Sequence, residues 1–332
     1  MEKLVEVTRG SLVESVHRGS IAVSDADGKL LAWAGDPELV TYYRSAAKPI
    51  QALPVLTSGS ADRFGLSEEE LAIICASHSG EDEHVKVVTG LVEKLGLSLD
   101  SLLCGTHPPF HSGSAREIYR QGNQPAAVHC NCSGKHSGML AICTHYGWST
   151  ENYLDLSHPL QKLLLQLIKD YHATDAVSVG VDGCGVPVYG MGLKEMAKGY
   201  ARLVNPGPLP QEIAAAVRRI VPAMTANPRL IAGTGRLDTV IMEAVGSKVV
   251  SKCGAEGVQC LGLKEKGFGI AIKIEDGHVR ATEPVAVEVL KQLGVLDQSE
   301  LTDLGNKHRV PIKNLHKAVV GEIRPVFKLN FA

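Results

Sequence analysis

Strand signals lie at the two ends of this chain, and helix signals fill its middle. In residues 15–34, alternating strand residues flank an Asp-Ala-Asp-Gly turn, which is typical of a β-hairpin. Near the other end, residues 267–275 alternate apolar with other residues before an Asp-Gly turn, and the segment AVVGEIRPVF offers a further strand. We therefore expect an antiparallel sheet built from both chain ends and covered by helices.

The middle of the chain carries helix signals. Ser67 precedes three glutamates, and the spacing from Ser67 to Glu70 predicts a capping box that opens a helix. Neither G-x-G-x-x-G nor G-x-x-x-x-G-K-[ST] occurs, so the common phosphate-binding loops are excluded. The predicted fold class is α+β, as one catalytic domain over 1–332. Its α/β lobe takes about 1–60 and 240–332, its mainly helical lobe takes about 61–239, and further helices are predicted near 82–95, 152–171, 209–226 and 283–294.

Charge and hydropathy limit the partners of this protein. The 332 residues include 36 acidic and 34 basic side chains, giving a formal charge of −2. Without a basic cluster, we expect no nucleic-acid partner, and without an apolar stretch of ~18 residues we expect no membrane span. The start, MEKLVEVTRG, lacks a signal-peptide pattern, so a cytoplasmic location and reduced cysteines are expected.

Ser45 and Lys48 form a Ser-x-x-Lys motif, a spacing that brings both side chains to one face of a helix. Pro49 is tolerated only in a first helical turn, so Ser45 should lie near a helix N-terminus. There Ser45 is suited to act as a nucleophile, with Lys48 as its base. One such motif is expected by chance in a chain of this length, which leaves a solvated helix turn as the alternative.

Two further segments with candidate catalytic residues follow Ser45-x-x-Lys48 along the chain. Ser77-His78-Ser79 lies between two predicted helices, and Lys252 precedes Cys-Gly at a predicted strand end. Together with Ser45-x-x-Lys48 they are similar to the three elements of penicillin-binding proteins and serine β-lactamases. The departures are S-H-S in place of S-D-N and K-C-G in place of K-T-G. Taken alone, His78 and its neighbours are also ordinary turn residues.

Thiols, imidazoles and an amine cluster in the segment HCNCSGKHS. Cys132, Lys135 and His136 lie in this run, and Cys184 follows a predicted strand in the segment DGCGVP. Sulfur and imidazole ligands in a reducing compartment favour Zn²⁺. The alternative is that these cysteines are small core residues, as Cys143 and Cys260 are expected to be.

Five segments in order, RSAAKP, CASHSGE, CNCSGKHSGML, DGCGVP and KCGAEG, resemble the class 3, rhizobial-type L-asparaginases over nearly the whole chain. The resemblance implies a serine β-lactamase-like fold, a homodimer, and hydrolysis of the side-chain amide of L-asparagine. It implies catalytic roles for Ser45, Lys48, Ser77 and Lys252, and zinc ligation by Cys132, Lys135 and Cys184. It also implies substrate-binding positions for Arg44, His136 and Asp182.

Several alternatives stay open. Ligand chemistry alone favours His136 or His129 over Lys135 as the third zinc ligand, because lysine must lose its proton to coordinate. For the second catalytic lysine, Lys252 is preferred to Lys264, Lys266 and Lys273 because its strand-then-glycine setting is retained. A glutaminase, a β-lactam hydrolase or a zinc-stabilised binding protein are the alternative functions.

Overall fold

A computed structural model describes residues 1–332, which divide into two compact units. The first unit contains residues 1–46, 191–208 and 240–332, and the second contains residues 47–190 and 209–239. The sequence-based lobes differ from these units in two places. Residues 47–60 belong with the second unit, and residues 191–208 belong with the first because their helix packs on its sheet.

The strands follow one another along the chain as follows: β1 (Glu2–Arg9), β2 (Leu12–Ser24), β3 (Leu30–Ala34), β4 (Val40–Tyr42), β5 (Ser178–Val181), β6 (Pro187–Gly192), β7 (Val249–Gly254), β8 (Val258–Leu263), β9 (Phe268–Ile274), β10 (Val310–Lys313), β11 (Val319–Pro325) and β12 (Asn330–Phe331). The first unit contains a nine-stranded sheet with the order β10-β11-β1-β2-β9-β8-β7, in which β3 pairs with β2 and β12 pairs with β3.

Strand β2 organises this sheet because it is long enough to pair with three neighbours. Its first half pairs antiparallel with β1, from Arg9 opposite Leu12 to Glu2 opposite Gly19. Its second half pairs with β3 on one edge and with β9 on the other. The hairpin predicted in residues 15–34 is therefore confirmed. The predicted α+β class, with an antiparallel sheet drawn from both chain ends, is confirmed as well.

The α-helices have these bounds: α1 (Lys48–Gln51), α2 (Leu53–Thr57), α3 (Ser60–Arg63), α4 (Glu68–Ile74), α5 (Asp82–Lys94), α6 (Ser112–Arg120), α7 (Ser133–Tyr146), α8 (Pro159–His172), α9 (Leu193–Val204), α10 (Gln211–Ala226), α11 (Pro228–Ile231), α12 (Leu237–Val245), α13 (Val279–Gln292), α14 (Gln298–Asp303) and α15 (Gly305–His308). Short 3₁₀ helices cover Arg44–Ala47, Leu99–Ser101, Ala127–His129 and Gly246–Lys248.

Helix α9 packs against β2, β8 and β9 of the sheet. Gly269 on β9 permits this approach, because a Cβ there would collide with the carbonyl oxygen of Ala197. Helix α13 also packs on β8 and β9. Every residue of β8 is buried, so these helices keep water from the centre of the sheet.

In the second unit, α4 packs against α7 through two glycines. A Cβ on Gly134 would collide with the carbonyl oxygen of Ile73, and one on Gly138 would lie 2.6 Å from a methyl group of Ile74. These two glycines of the SGKHSG segment thus bring the start of α7 against the end of α4. The predicted capping box of α4 is confirmed, since Ser67 Oγ accepts from the Glu70 amide and Glu70 Oε2 accepts from the Ser67 amide.

The helix predicted near 152–171 begins later than expected, at Pro159, because the His158 ring accepts the amide N–H of Leu160 and caps that end. Residues 152–158 form turns instead. None of the helices combines the length and the apolar character needed to cross a membrane.

Candidate active site

Lys48 is the first residue of α1, and its side chain is 1% exposed. Pro49 occupies the first turn of this short helix, as the sequence predicted. The Lys48 ammonium donates hydrogen bonds to the carbonyl oxygens of Ala76 (2.6 Å) and Asn131 (3.2 Å), and lies 2.9 Å from Ser77 Oγ. Lys48 and Ser77, both proposed from the sequence, are therefore in direct contact.

The acceptors around Lys48 restrict where its proton can go. A neutral lysine amine keeps two N–H donors and one lone pair, whereas the ammonium has three donors and no lone pair. Backbone carbonyls only accept, so the Lys48 amine cannot take a proton from Ala76 or Asn131. The Ser77 hydroxyl, 2.9 Å from Nζ, can accept a proton from the ammonium or donate one to the amine. Proton exchange by Lys48 is thus possible at Ser77 without disturbing the other two bonds.

Ser77 lies in the loop that follows α4, and this loop is held at several points. The Ser77 amide donates to the carbonyl oxygen of Ile231 at 2.9 Å. The Gly80 amide donates to His78 Nδ1, which leaves His78 Nε2 to donate to Ser133 Oγ at 2.8 Å. Burial lowers the pKa of His78 well below its usual value, so the ring is neutral. His78 therefore anchors the loop that presents Ser77.

The next turns of the loop are held to residues 231–236. Ser79 Oγ donates to the Ala232 carbonyl at 2.7 Å. The Glu81 carboxylate accepts from both the amide and the hydroxyl of Thr234, each at 2.7 Å. Burial raises the pKa of Glu81, but these hydrogen bonds outweigh it and the pKa is lowered overall.

The predicted metal ligands also come together, in the same unit. Lys135 Nζ donates to Cys184 Sγ at 3.0 Å, and the Cys184 thiol is hydrogen-bonded to Cys132. Asp182 Oδ2 lies 3.8 Å from Cys184 Sγ. All but Asp182 are buried, so the cluster is a compact group of two sulfurs, one amine and one carboxylate.

The two thiols of this cluster differ, because the hydrogen bond with Cys132 and burial raise the pKa of Cys184, whereas the pKa of Cys132 is lowered. Burial lowers the pKa of Lys135, but the two cysteines, Cys184 and Cys132, and the Asp182 carboxylate outweigh it, so the pKa is raised. Hydrogen bonds from Cys130 and Cys184 lower the pKa of Cys132 well below its usual value. The Cys132 thiol donates a hydrogen bond to the side-chain oxygen of Asn131 at 3.2 Å.

These donors can be tested against a zinc ion. No group of three or more His, Cys, Asp and Glu side chains in residues 1–332 is arranged to hold a metal. Cys132 and Cys184 supply two adjacent sulfur donors, and the Lys135 amine supplies a third. Two sulfurs and one nitrogen suit Zn²⁺, with Lys135 losing its proton to the solvent on binding. The side chains present therefore fit the ion.

The two histidines considered as zinc ligands differ in their surroundings. His129 is half-buried, and its Nδ1 is bonded to the backbone of Ala126. His136 is fully buried, its Nδ1 lies 2.8 Å from the Tyr153 hydroxyl, and its Nε2 has no hydrogen-bond partner. An unpartnered buried nitrogen is costly, so His136 Nε2 is suited to a bound group.

The remaining predicted residues lie in the first unit. Ser45 and Arg44 belong to the 3₁₀ helix Arg44–Ala47, both are half-buried, and Arg44 has φ = 52°, a left-handed conformation that costs a non-glycine residue energy. This segment is fixed by two buried hydroxyls, since Tyr43 donates to the Met196 carbonyl and Tyr200 donates to the Ala46 carbonyl.

Lys252 lies on β7 and is fully buried, with Nζ 2.9 Å from the Cys253 carbonyl oxygen. Lys264 and Lys266 are exposed and Lys273 is half-buried, so Lys252 is the buried member of the four lysines considered. A Cβ on Gly254 would lie 2.9 Å from the Tyr43 carbonyl, so the K-C-G strand end lies beside the segment that carries Ser45.

No sequence motif indicated a role for Asn131 or for the Ala76 carbonyl. The available signal was the polar residue between two cysteines in CNC, directly before α7. Backbone carbonyls leave no sequence signal, because any residue supplies one.

Comparison with solved structures finds distant similarities. The chain is similar to a β-lactamase (Mb2281c) from Mycobacterium bovis, with 12% identity, 82% of this chain and 94% of that chain covered, and a TM-score of 0.41. It is similar to a putative beta-lactamase from Bacteroides dorei DSM 17855, with 14% identity, coverage of 82% and 93%, and a TM-score of 0.40. For native Mglu the identity is 16%, coverage is 86% and 66%, and the TM-score is 0.39, so this chain spans just under two thirds of that protein.

Sequence comparison identifies the family. No curated protein matches the sequence significantly. The family model described as L-asparaginase II matches residues 5–325, which is nearly the whole chain and includes every site residue discussed above. The chain therefore belongs to the L-asparaginase II family.

Proposed function

We propose that this protein hydrolyses the side-chain amide of L-asparagine to L-aspartate and ammonia, through a serine nucleophile activated by lysine. The observation that carries the proposal is the contact of buried Lys48 Nζ with Ser77 Oγ at 2.9 Å, beside two backbone carbonyls that can only accept hydrogen bonds. Family membership supports an amidase among the reactions such a pair performs.

In the proposed reaction, a serine hydroxyl transfers its proton to the neutral amine of Lys48, and the oxygen attacks the carboxamide carbon. The tetrahedral intermediate collapses as the C–N bond breaks, and the proton leaves with ammonia. Water then attacks the resulting ester and the amine takes a proton from this water. The bond between the serine oxygen and the acyl carbon breaks, the ammonium returns the proton to the serine oxygen, and aspartate is released. The sequence assigns the nucleophile to Ser45 and the proton relay to Ser77.

The opposite assignment, with Ser77 acylated, uses the Lys48 contact directly. The second pair of the proposal, Ser77 with Lys252, rests on the resemblance alone. Lys252 is proposed as a second cation that lowers the pKa of Lys48 and stabilises the developing oxyanion, together with backbone N–H groups.

Zinc held by Cys132, Lys135 and Cys184 is part of the proposal. Such an ion would supply a fixed positive centre that orients the substrate. His136 Nε2 and the Asp182 carboxylate are proposed to accept from the α-ammonium group, and Arg44 is proposed to bind the α-carboxylate. A homodimer and a cytoplasmic location remain expectations.

Steady-state rates on asparagine and glutamine test the substrate, because the alternative functions include a glutaminase. Asparagine is expected to have the higher kcat/KM, and equal or reversed values would contradict the assignment. Added hydroxylamine tests the covalent step, because an acyl-enzyme is expected to yield aspartic β-hydroxamate at the expense of aspartate.

Ser45→Ala separates an enzyme from a zinc-stabilised binding protein. The variant is expected to fold, to keep its zinc and to lose turnover. Full amidase activity in that variant would falsify Ser45 as the nucleophile. If Ser45→Ala keeps its turnover and Ser77→Ala loses it, the nucleophile is Ser77.

A further inference from the structure

Asn131 contacts both chemical clusters of the second unit. Its carbonyl oxygen accepts from Lys48 Nζ at 3.2 Å. Its side-chain oxygen lies 3.2 Å from Cys132 Sγ. The backbone and the side chain of one residue thus touch the proton-carrying lysine and a proposed metal ligand.

His107 fixes the position of Asn131. His107 Nε2 accepts the Asn131 amide N–H at 3.0 Å and the side-chain N–H at 2.8 Å. His107 Nδ1 lies 2.7 Å from the Pro108 carbonyl oxygen, which can only accept. The ring must therefore carry its proton on Nδ1 and keep its Nε2 lone pair towards Asn131.

This arrangement also fixes the orientation of the Asn131 amide. Turning it over would place its oxygen against the His107 lone pair and remove a hydrogen bond. The side-chain oxygen is therefore held towards Cys132. His107 is itself stacked on Phe110, with ring centroids 4.7 Å apart. The Arg236 guanidinium lies 5.5 Å from the centroid of the Phe110 ring.

We propose that His107 is a positioning residue for Lys48, acting through Asn131, in the reaction proposed above, on which this inference rests. His107 holds Asn131, whose carbonyl accepts one N–H of Lys48 and so helps to hold the amine against the Ser77 hydroxyl. Through the same side chain it ties the Cys132 loop to Lys48. A small displacement of a catalytic group lowers the rate of the chemical step more than it weakens substrate binding.

The test compares His107→Ala with His107→Gln in the full-length protein, using asparagine as substrate. Glutamine can place an acceptor oxygen where His107 Nε2 lies, whereas alanine cannot. We expect His107→Ala to lower kcat about tenfold to 100-fold with KM changed less than about threefold. His107→Gln should recover kcat to within about threefold of the original protein. His316→Ala, which removes an exposed imidazole, is the control and should leave both constants unchanged.

A second readout does not depend on turnover. Proton–nitrogen NMR of ¹⁵N-histidine-labelled protein should show His107, identified by the signal missing in His107→Gln, as the neutral tautomer protonated on Nδ1. An Nε2-protonated ring, or wild-type kcat in His107→Ala, would overturn the inference. An equal fall of kcat in both variants would also overturn it, because the His107 ring would then matter for packing and not as the acceptor that holds Asn131. If the original protein does not hydrolyse asparagine, the proposed function fails, whereas the NMR result still tests the geometry.

Discussion

Lys48 and Lys135 are two buried lysines of the same unit, but their surroundings differ. The side chains are 1% and 4% exposed. The hydrogen bonds of Lys48 described above end on neutral oxygens, two of them backbone carbonyls. Lys135 instead contacts the sulfur of Cys184, and although burial lowers its pKa, the two cysteines and the Asp182 carboxylate raise that pKa overall.

This difference shows how one unit assigns two roles to one residue type. The neighbours of Lys135 favour its proton until a stronger cation replaces it, which suits a metal ligand. At Lys48, two carbonyl oxygens hold the amine beside the Ser77 hydroxyl, a group that can give or take a proton, which suits proton transfer. The comparison therefore predicts that changes at Lys48 affect kcat, whereas changes at Lys135 affect metal content and KM.

The largest effect is expected from Lys48→Met. This side chain has a similar shape but cannot accept a proton, so kcat/KM for asparagine should fall about 10³-fold or more. Stopped assays for ammonia measure the rate. Lys198→Met, which removes a buried lysine paired with Glu195 in the first unit, is the control and should keep its activity. If Lys48→Met keeps activity within tenfold of the original protein, Lys48 is not the catalytic base, and the proposed difference in role between Lys48 and Lys135 is wrong.

Ser77→Ala should have the next largest effect. Removing the hydroxyl that faces Lys48 is expected to lower kcat about 100-fold if Ser77 relays the proton. Circular dichroism checks that the loop after α4 still folds, since the Ser77 amide bond to Ile231 is retained. Unchanged kcat would show that Lys48 exchanges its proton elsewhere.

Removing zinc should have a smaller and different effect. Chelation, or Lys135→Met, is expected to raise KM about tenfold and to lower kcat less than about threefold, because the ion is proposed to orient substrate rather than activate water. Metal content by mass spectrometry should fall from one zinc per chain to none in Lys135→Met. A collapse of kcat at saturating asparagine would instead favour attack by a zinc-bound hydroxide.

The smallest effect concerns the stability of the loop that carries Ser77. Thr234→Val removes the hydroxyl that donates to Glu81, and should cost about 1 kcal/mol of unfolding free energy at pH 7. The pKa of Glu81 is lowered in the folded state, so its contribution is present above the unfolded pKa of about 4.3 and is lost as pH falls through the folded pKa. In urea unfolding, the free energies of unfolding of Thr234→Val and of the original protein should converge as the pH falls. Thr234→Ser, which keeps the hydroxyl, should behave like the original protein. A difference that grows in acid would contradict this sign.

Local signals in the sequence predicted most of the fold. The Asp-Gly turns and alternating residues at each end were enough for β2, β3 and β9, and the Ser67 capping box was enough for the start of α4. Other features depend on contacts between distant segments. The pairing of β2 with three neighbours and the packing of α9 on the sheet leave no local pattern, because they depend on backbone approach at residues such as Gly269.

The same limit applies to the site. Spacing linked Ser45 with Lys48, but the contact of Lys48 with Ser77 requires a loop that is held by the carbonyl of Ile231, far along the chain. Residue types predicted a thiol and amine cluster, and the structure brings Cys132, Lys135 and Cys184 together. The part played by the Ala76 and Asn131 carbonyls could not be predicted, since it depends on backbone geometry alone.

Rapid quenching of the enzyme during turnover of asparagine, followed by intact-mass measurement and peptide mapping, tests the Ser-Lys account most directly. The account predicts one aspartyl group per chain, attached to the peptide that contains Ser45, and no such adduct in Lys48→Met. A protein that hydrolyses asparagine at its full rate without an acyl group on Ser45 or Ser77 would contradict it.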